Sequence, residues 1–492
     1  MRFLLDTNIL IPLEDSQIPL RSSLADFVRL AHENGHNLLY HPASEDDIQR
    51  DTNVSRRQQT LDRLRQYSRL DHTPVCPWNN GTTSPNDAAD NQIIYALYCD
   101  AVHALVTEDR EIHQKAKNLG LGGRVFYIQT AETWLRQLHE RISVQLPNIE
   151  EVSLYNLTPL LCGGFFDSLR EGYSGFNEWF AKKAREGKRA WVSWERPGSL
   201  GAVCIFDQQA DETVTEDGLR LPGAALKLCT FKVETNVRGR KIGELFLKAA
   251  FRFASLNRLE HIFIHGDIEN HRFLFDLLED FGFFCAGTHP GSNGRDAVYI
   301  KYHPAFPPSA TDDAFTYMRK YFPHFRHDAD IQKFVVPIRP NYHEILFPDY
   351  EHPLAHQNLL FTQPNSAGNA IKLAYLCHAP IAHIAPGSIV LFYRSRDHRA
   401  ITSLGIVEAY QSQTDPSQIA QMVSRRTVYT MNDIIQIASK PTKVMLFRHV
   451  KHFKNPIDHE WLEANDVLDG NTQTIRAIND ITFQRIFDYG EQ

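Results

Sequence analysis

The chain has 492 residues, with 52 Lys+Arg against 59 Asp+Glu for a formal net charge of −7, and is 42% hydrophobic and 23% charged. At about 150 residues per domain this length implies about three domains, and ordinary apolar and charged usage excludes wholesale disorder, a collagen-like chain and a membrane-dominated one. Mild net acidity argues against a generally basic nucleic-acid binder but leaves room for a local basic patch.

Seven scattered cysteines with no C-x-x-C pair read as reduced thiols of a cytoplasmic protein. The opening MRFLLDTNIL carries an acid at position 6 and no basic segment, so no signal peptide is expected. No apolar run approaches the roughly 18 residues of a membrane span, so no membrane partner is expected.

In chain order, RFLLD and NLLYHP are strand candidates separated by the helix-like LADFVRLAHEN. An Arg/Gln-rich helix, SRRQQTLDRLRQYSRL, is followed by DNQIIYALYCDA, whose Ile93, Ile94 and Leu97 share a face, and then by the strand ALVTED. Strands alternating with helices predict a parallel α/β sheet. AETWLRQLHERI closes this first unit near Pro147.

From 150 to 303 helices lead into the strands AWVSWE, GAVCIFD and ALKLCTFKV, a helix after a glycine-bearing turn, the strand HIFIHG, a further helix and AVYIKY. A Pro-rich connection spans 304–365. The C-terminal 366–492 reads as β-rich, with GSIVLFYRS, ITSLGIVEAY and KVMLFRHV and a helix at DPSQIAQMVSRR. The expected fold class is α/β multidomain.

In the first unit (1–145), Asp6 ends a strand, Asp47 follows one, Asp87 and Asp90 lie one helical turn apart, and Asp109 ends ALVTED. Carboxylates at the C-terminal ends of parallel strands converge at one sheet edge, and oxygen-only clusters suit Mg²⁺ or Mn²⁺, which can activate water for phosphodiester hydrolysis. Taken singly, each acid equally fits strand-end solubility or helix capping. As a set with D-T-N at 6–8 and T-E-D at 107–109, they resemble a PIN domain, a family of metal-dependent nucleases that mostly cut RNA. The resemblance implies Asp6, Asp47, Asp90 and Asp109 as catalytic and metal-binding acids, with Asp87 in support and Glu45 or Asp46 as substitutes for Asp47.

In the second unit a basic turn lies between ALKLCTFKV and an amphipathic helix. Helix N-termini seat pyrophosphate groups. Arg238 and Gly243 with the strand order of 155–303 resemble the GNAT acetyltransferase fold, a mixed α+β domain. The resemblance implies acetyl-coenzyme A, its pyrophosphate on the turn formed by Arg238, Gly239, Arg240, Lys241, Ile242 and Gly243, and its pantetheine arm along Phe231 and Val233. Lys241 stands where the family carries a glycine, and Leu278 where it often carries a proton-donating tyrosine. Glu234 and His265, at strand ends, are the candidate bases.

In the third unit Arg394, Arg396 and Arg399, and then Lys440, Lys443, Arg448, Lys451 and Lys454 interleaved with Phe447 and Phe453, fit charge for phosphates and rings for stacking. A solvated face with core phenylalanines fits them as well. GSIVLFYRS and the late KVMLF strand resemble the PUA-like barrels of the ASCH/EVE kind, which implies RNA or modified-nucleotide binding.

Together these readings describe a metal-dependent endoribonuclease carrying an acyl-coenzyme A-binding GNAT domain and acting on RNA, with a homo-oligomer a fair expectation. One alternative makes N-acetyl transfer to a protein or RNA acceptor the principal activity, with the outer units recognising substrate. The other has the GNAT-like pocket sensing acyl-coenzyme A and setting a toxin-like or defence nuclease.

Overall fold

The computed structural model describes residues 1–492 apart from 15–21, 72, 74, 80–83, 141–147, 235–240, 269–270, 310, 351–364, 368–369, 425, 427–428 and 469–472. The chain forms two compact units, one of 1–143 with 376–378 and 411–444, the other of 144–375 with 379–410 and 445–492. The architecture is multidomain α/β, with one parallel and two mixed sheets. Among the described residues no helix is long and apolar enough to cross a membrane.

In the first unit β1 (Arg2–Leu5), β2 (Asn37–Tyr40), β3 (Ser68–Arg69), β4 (Ala104–Val106) and β5 (Val125–Phe126) form a sheet in the order 3-2-1-4-5. Every pairing in it is parallel. Phe3, Leu4 and Leu5 are each fully buried, as a central strand covered on both faces requires. Leu4 packs with Ile93 and Leu97 of the helix Pro85–Tyr98, while Phe3 meets Phe27 and Trp134 edge-on. That helix starts at Ser84, whose side chain accepts the Asp87 N–H, with Pro85 at its first position. Because the chain builds outward from β1 first on one side and then on the other, the C-terminal ends of β1 and β4 flank a topological switch point.

In the second unit eight strands form a sheet: β6 (Asn148–Ser153), β7 (Arg189–Arg196), β8 (Ser199–Ala210), β9 (Ala224–Val233), β10 (His261–Asp267), β11 (Phe284–Thr288), β12 (Asp296–Tyr302) and, after β13 (Lys333–Ile338), β14 (Asn365–Ala367). Their order is 11-12-10-9-8-7-6-14, antiparallel except for β9 beside β10. A parallel neighbour needs a crossover, and the helix Ile242–Leu256 supplies it. Alternation along the strands sorts the core: Trp191, Phe206, Leu226 and Leu228 meet the crossover helix and the helix Arg272–Asp280. Val192, Val203 and Ile205 meet Phe166 and Phe180 on the other face.

The remaining sheet of this unit has the order 15-18-17-16-13-19, where β15 is Lys372–Cys377, β16 Ile389–Arg394, β17 Ala400–Gln413, β18 Thr442–Asp458 and β19 Arg476–Ile478. Barrel closure is not seen: among the described residues β15 and β19 remain edges. The tract expected as a Pro-rich connection supplies β13, which pairs parallel with β16 from Lys333↔Ile389 to Ile338↔Arg394.

Candidate functional site

The second unit carries a fork in its sheet. β9 and β10 pair only from Ala225↔His261 to Leu228↔Ile264. Beyond that point β9 stays with β8 as far as Val233↔Ala202, and β10 stays with β12 as far as Asp267↔Asp296. The register of β9 against β8 slips at this place: Phe206 faces Leu228 and Ile205 faces Thr230, leaving Cys229 as the extra residue. A bulge bends and twists its strand, so Cys229 turns β9 away from β10. The result is a cavity of about 450 Å³ lined by Cys229, Thr230, Phe231, Ile264, His265 and Gly266. Its far wall, from residues 169–183, includes Tyr173, Phe176 and Trp179.

His265 Nδ1 lies 3.4 Å from Asp296 Oδ2, and its ring stacks on His289 with centroids 3.7 Å apart. Burial, then the neighbouring His289 and Lys227, push its pKa down to about 4, which leaves a neutral imidazole at pH 7. Asp296 is buried, and its Oδ1 accepts from Arg295 Nε at 3.3 Å. Burial also pushes His271 down and the Tyr173 phenol up, and both groups line the same cavity.

The other residues expected on this unit fall as follows. Phe231 lines the cavity; Val233 does not, and pairs with Ala202. Glu234 sits 3.2 Å from Lys232 Nζ, outside the lining. Leu278 is fully buried in the core. Arg238, Gly239 and Arg240 lie outside the described residues. Lys241 has φ +54°, and its Nζ donates to the Lys372 carbonyl at 2.7 Å instead of lying free at the turn. Ile242 is buried where the crossover helix begins. Gly243 is needed for close packing: a Cβ there would stand 2.9 Å from Leu277 Cδ2. Sequence reasoning passed over Tyr173, Trp179, Lys227 and Asp296, which carry no motif and are united only by the fork.

In the first unit Asp6 is buried directly after β1. Its Oδ2 accepts from Thr107 Oγ1 at 2.6 Å and Asn8 Nδ2 at 2.7 Å, and its Oδ1 from the Thr7 amide at 2.7 Å. Burial dominates those bonds and, with repulsion from Asp90 and Asp109, lifts its pKa to about 6. Asp90 is likewise lifted to about 6, chiefly by burial and against the pull of Lys115. Asp109 caps the helix Arg110–Asn118 by accepting the Glu111 and Ile112 amides. Asp47 stands in an ion pair with Arg50 at 2.7 Å, and Glu45 accepts from the Tyr40 hydroxyl. Among the described residues Asp87, Asp90 and Glu111 bring ligand atoms within 4.8 Å of one another. Lys115 bonds Asp87 at 2.9 Å and approaches Asp90 at 3.5 Å. Mutually repelling, partly desolvated carboxylates are a donor set that fits a hard divalent cation.

Burial removes part of the basic and aromatic set expected for nucleic acid. Phe447 and Phe453 are core residues with no exposure. Buried Arg394 is held by Asp397 and Glu344, and buried Arg448 by Glu408. Arg396, Arg399, Lys440 and Lys454 remain exposed, and Lys443 and Lys451 are half-buried.

No family model matches the chain, and no curated protein matches it. Among solved structures it is similar to the ASCH protein of Zymomonas mobilis (11% identity, TM-score 0.25, 32% of this chain and 94% of that one). It is also similar to an aminoglycoside 6'-acetyltransferase type Ii (18%, 0.25, 33% and 99%). A third is NAA60 of Arabidopsis thaliana in complex with acetyl-CoA (14%, 0.24, 31% and 99%).

Proposed function

We propose that the second unit is an acyl-coenzyme A-dependent N-acetyltransferase. The observation that carries this reading is the fork: a parallel pair that parts at Leu228/Ile264 beside the bulged Cys229, opening a cavity walled by His265. The edge of β9 past Leu228, unpaired among the described residues, offers backbone groups to an extended amide-bearing chain such as pantetheine. The free amides at the start of the helix Ile242–Leu256 give that end a positive dipole, which suits a pyrophosphate. Acetyl-coenzyme A would supply the thioester carbonyl. His265, neutral and steadied by Asp296, takes the proton that the acceptor amine must lose. Tyr173, a phenol in the cavity lining, is the candidate to protonate the leaving thiolate in place of the tyrosine absent at Leu278.

Release of free thiol from acetyl-coenzyme A in the presence of amine acceptors tests this reading. His265→Gln is expected to lower turnover about 100-fold or more, within the usual range for loss of a general base. Unchanged turnover would remove His265 from the mechanism, and no thiol release with any amine would remove the reading.

A second reading concerns the first unit and rests on Asp6, Asp90 and Asp109 gathering where β1 and β4 end. We propose metal-dependent phosphodiester cleavage there, with the acids holding Mg²⁺ or Mn²⁺ and orienting water. Cutting of labelled single-stranded RNA that needs both Mn²⁺ and Asp6, absent in Asp6→Asn, is the expected result. Cutting that persists in Asp6→Asn or in chelator would exclude it.

A further inference from the structure

The wall of the cavity opposite the fork has a chemistry of its own. Phe176, Trp179 and Lys183 share one face of the helix Phe176–Arg185 and line the cavity together with Tyr173. The Phe176 and Trp179 rings lie 5.7 Å apart and make a continuous aromatic surface. Lys183 and Lys227 add two ammonium groups, and among the described lining residues there is no carboxylate. Their counter-charges lie outside the lining: Glu186 at 2.9 Å and Asp207 at 3.8 Å from Lys183, and Glu212 at 2.9 Å from Lys227. Gln209, also in the lining, carries a buried Oε1 with no hydrogen-bond partner among the described residues.

A polycationic acceptor entering this space would bring ammonium groups against two others and lose water without meeting a carboxylate. An aromatic amine with a carboxylate or phosphate would stack on the rings, pair its anion with the lysines and give an N–H to Gln209. We propose that the acceptor is a small aromatic amine bearing an anionic group, a substrate class that rests on the acetyltransferase reading of the same cavity. In the reaction the amine nitrogen forms a bond to the thioester carbonyl carbon and the carbon–sulfur bond breaks. The amine proton passes to His265, the thiolate takes one proton, and the products are the N-acetyl amine and free coenzyme A.

The experiment is calorimetric titration of the full chain, with and without saturating coenzyme A, using L-tryptophan and L-tyrosine, then tryptamine and tyramine, and finally kanamycin. The amino acids are expected to bind at least tenfold tighter than their decarboxylated counterparts, and kanamycin not at all. Lys227→Gln and, separately, Lys183→Gln should each narrow that gap. Tighter binding of tryptamine, tyramine or kanamycin, or no binding of any aromatic amine, would overturn the proposal. Failure of acetyl-coenzyme A itself to bind would instead overturn the acetyltransferase reading, while the charge preference is still read from the titrations without coenzyme.

Discussion

Asp90 shows how much one side chain can reveal about a site. Its carboxyl is lifted to about 6, chiefly by burial, so the folded chain holds a charge there at a cost when the pH exceeds 6. A divalent cation relieves that cost but must displace the proton first. Thermal stabilisation by Mn²⁺ should therefore be strong at pH 8 and fade as the pH falls through about 6. Asp90→Asn should raise the melting temperature at pH 8 without metal and lose most of the Mn²⁺ effect. Equal Mn²⁺ stabilisation in the variant would take Asp90 out of the cation site. The sequence reading placed Asp6 and Asp109 at strand ends and Asp90 in a helix, and they lie after β1, after β4 and in the helix Pro85–Tyr98. It could not foresee that Arg50 pairs with Asp47, or that Glu111, one residue into a helix capped by Asp109, would reach Asp87 and Asp90.

At the scale of elements, the crossover helix and the helix Arg272–Asp280 meet at Gly243 and Leu277. A methyl group at 243 would stand 2.9 Å from Leu277 Cδ2 and 3.8 Å from Phe231 Cε1. Overpacking of this kind costs about 1–3 kcal/mol, while the Phe231 ring stays at an ordinary contact distance. Gly243→Ala should lower stability, and Leu277→Ala in the same chain should restore it. A double variant no better than the single would mean that the glycine serves the turn backbone and not the helix contact. Glu244, in the first turn of this helix, is buried and accepts the Ile371 and Lys372 amides at 2.9 and 3.0 Å. Its carboxylate is thus already satisfied within the protein. The strand–turn–helix order was legible from apolar runs and the glycine turn. The bulge at Cys229 was not, since a single extra residue leaves the alternation of ALKLCTFKV almost unmarked. Nor was the role of β13, because its partner β16 lies more than fifty residues further along the chain.

The whole molecule carries a set of buried, neutral histidines. Burial lowers His36 to about 3, His41 to about 4, His303 to about 3 and His343 to about 3. His265 joins them at about 4. Below their ordinary value of about 6.5 the unfolded chain takes up protons that the folded chain refuses, so stability falls as the pH drops from 6.5 towards 4. Each costs on the order of 1–2 kcal/mol at pH 5. Asp6 and Asp90 act in the opposite sense, because the folded chain binds their protons first and gains stability as the pH falls through about 6. The histidines outnumber them, so the melting temperature should be lower at pH 5 than at pH 7. A higher melting temperature at pH 5 would mean that several of these rings reach solvent.

The measurement that bears most directly on the function is calorimetric titration of acetyl-coenzyme A into the full chain and into Cys229→Phe, which places a ring in the mouth of the fork. Micromolar binding by the natural sequence that is lost in Cys229→Phe, with the variant's melting temperature within a few degrees of the parent, is the expected result. Equal binding by both chains, or no binding by either, would contradict the acyl-coenzyme A site at the fork.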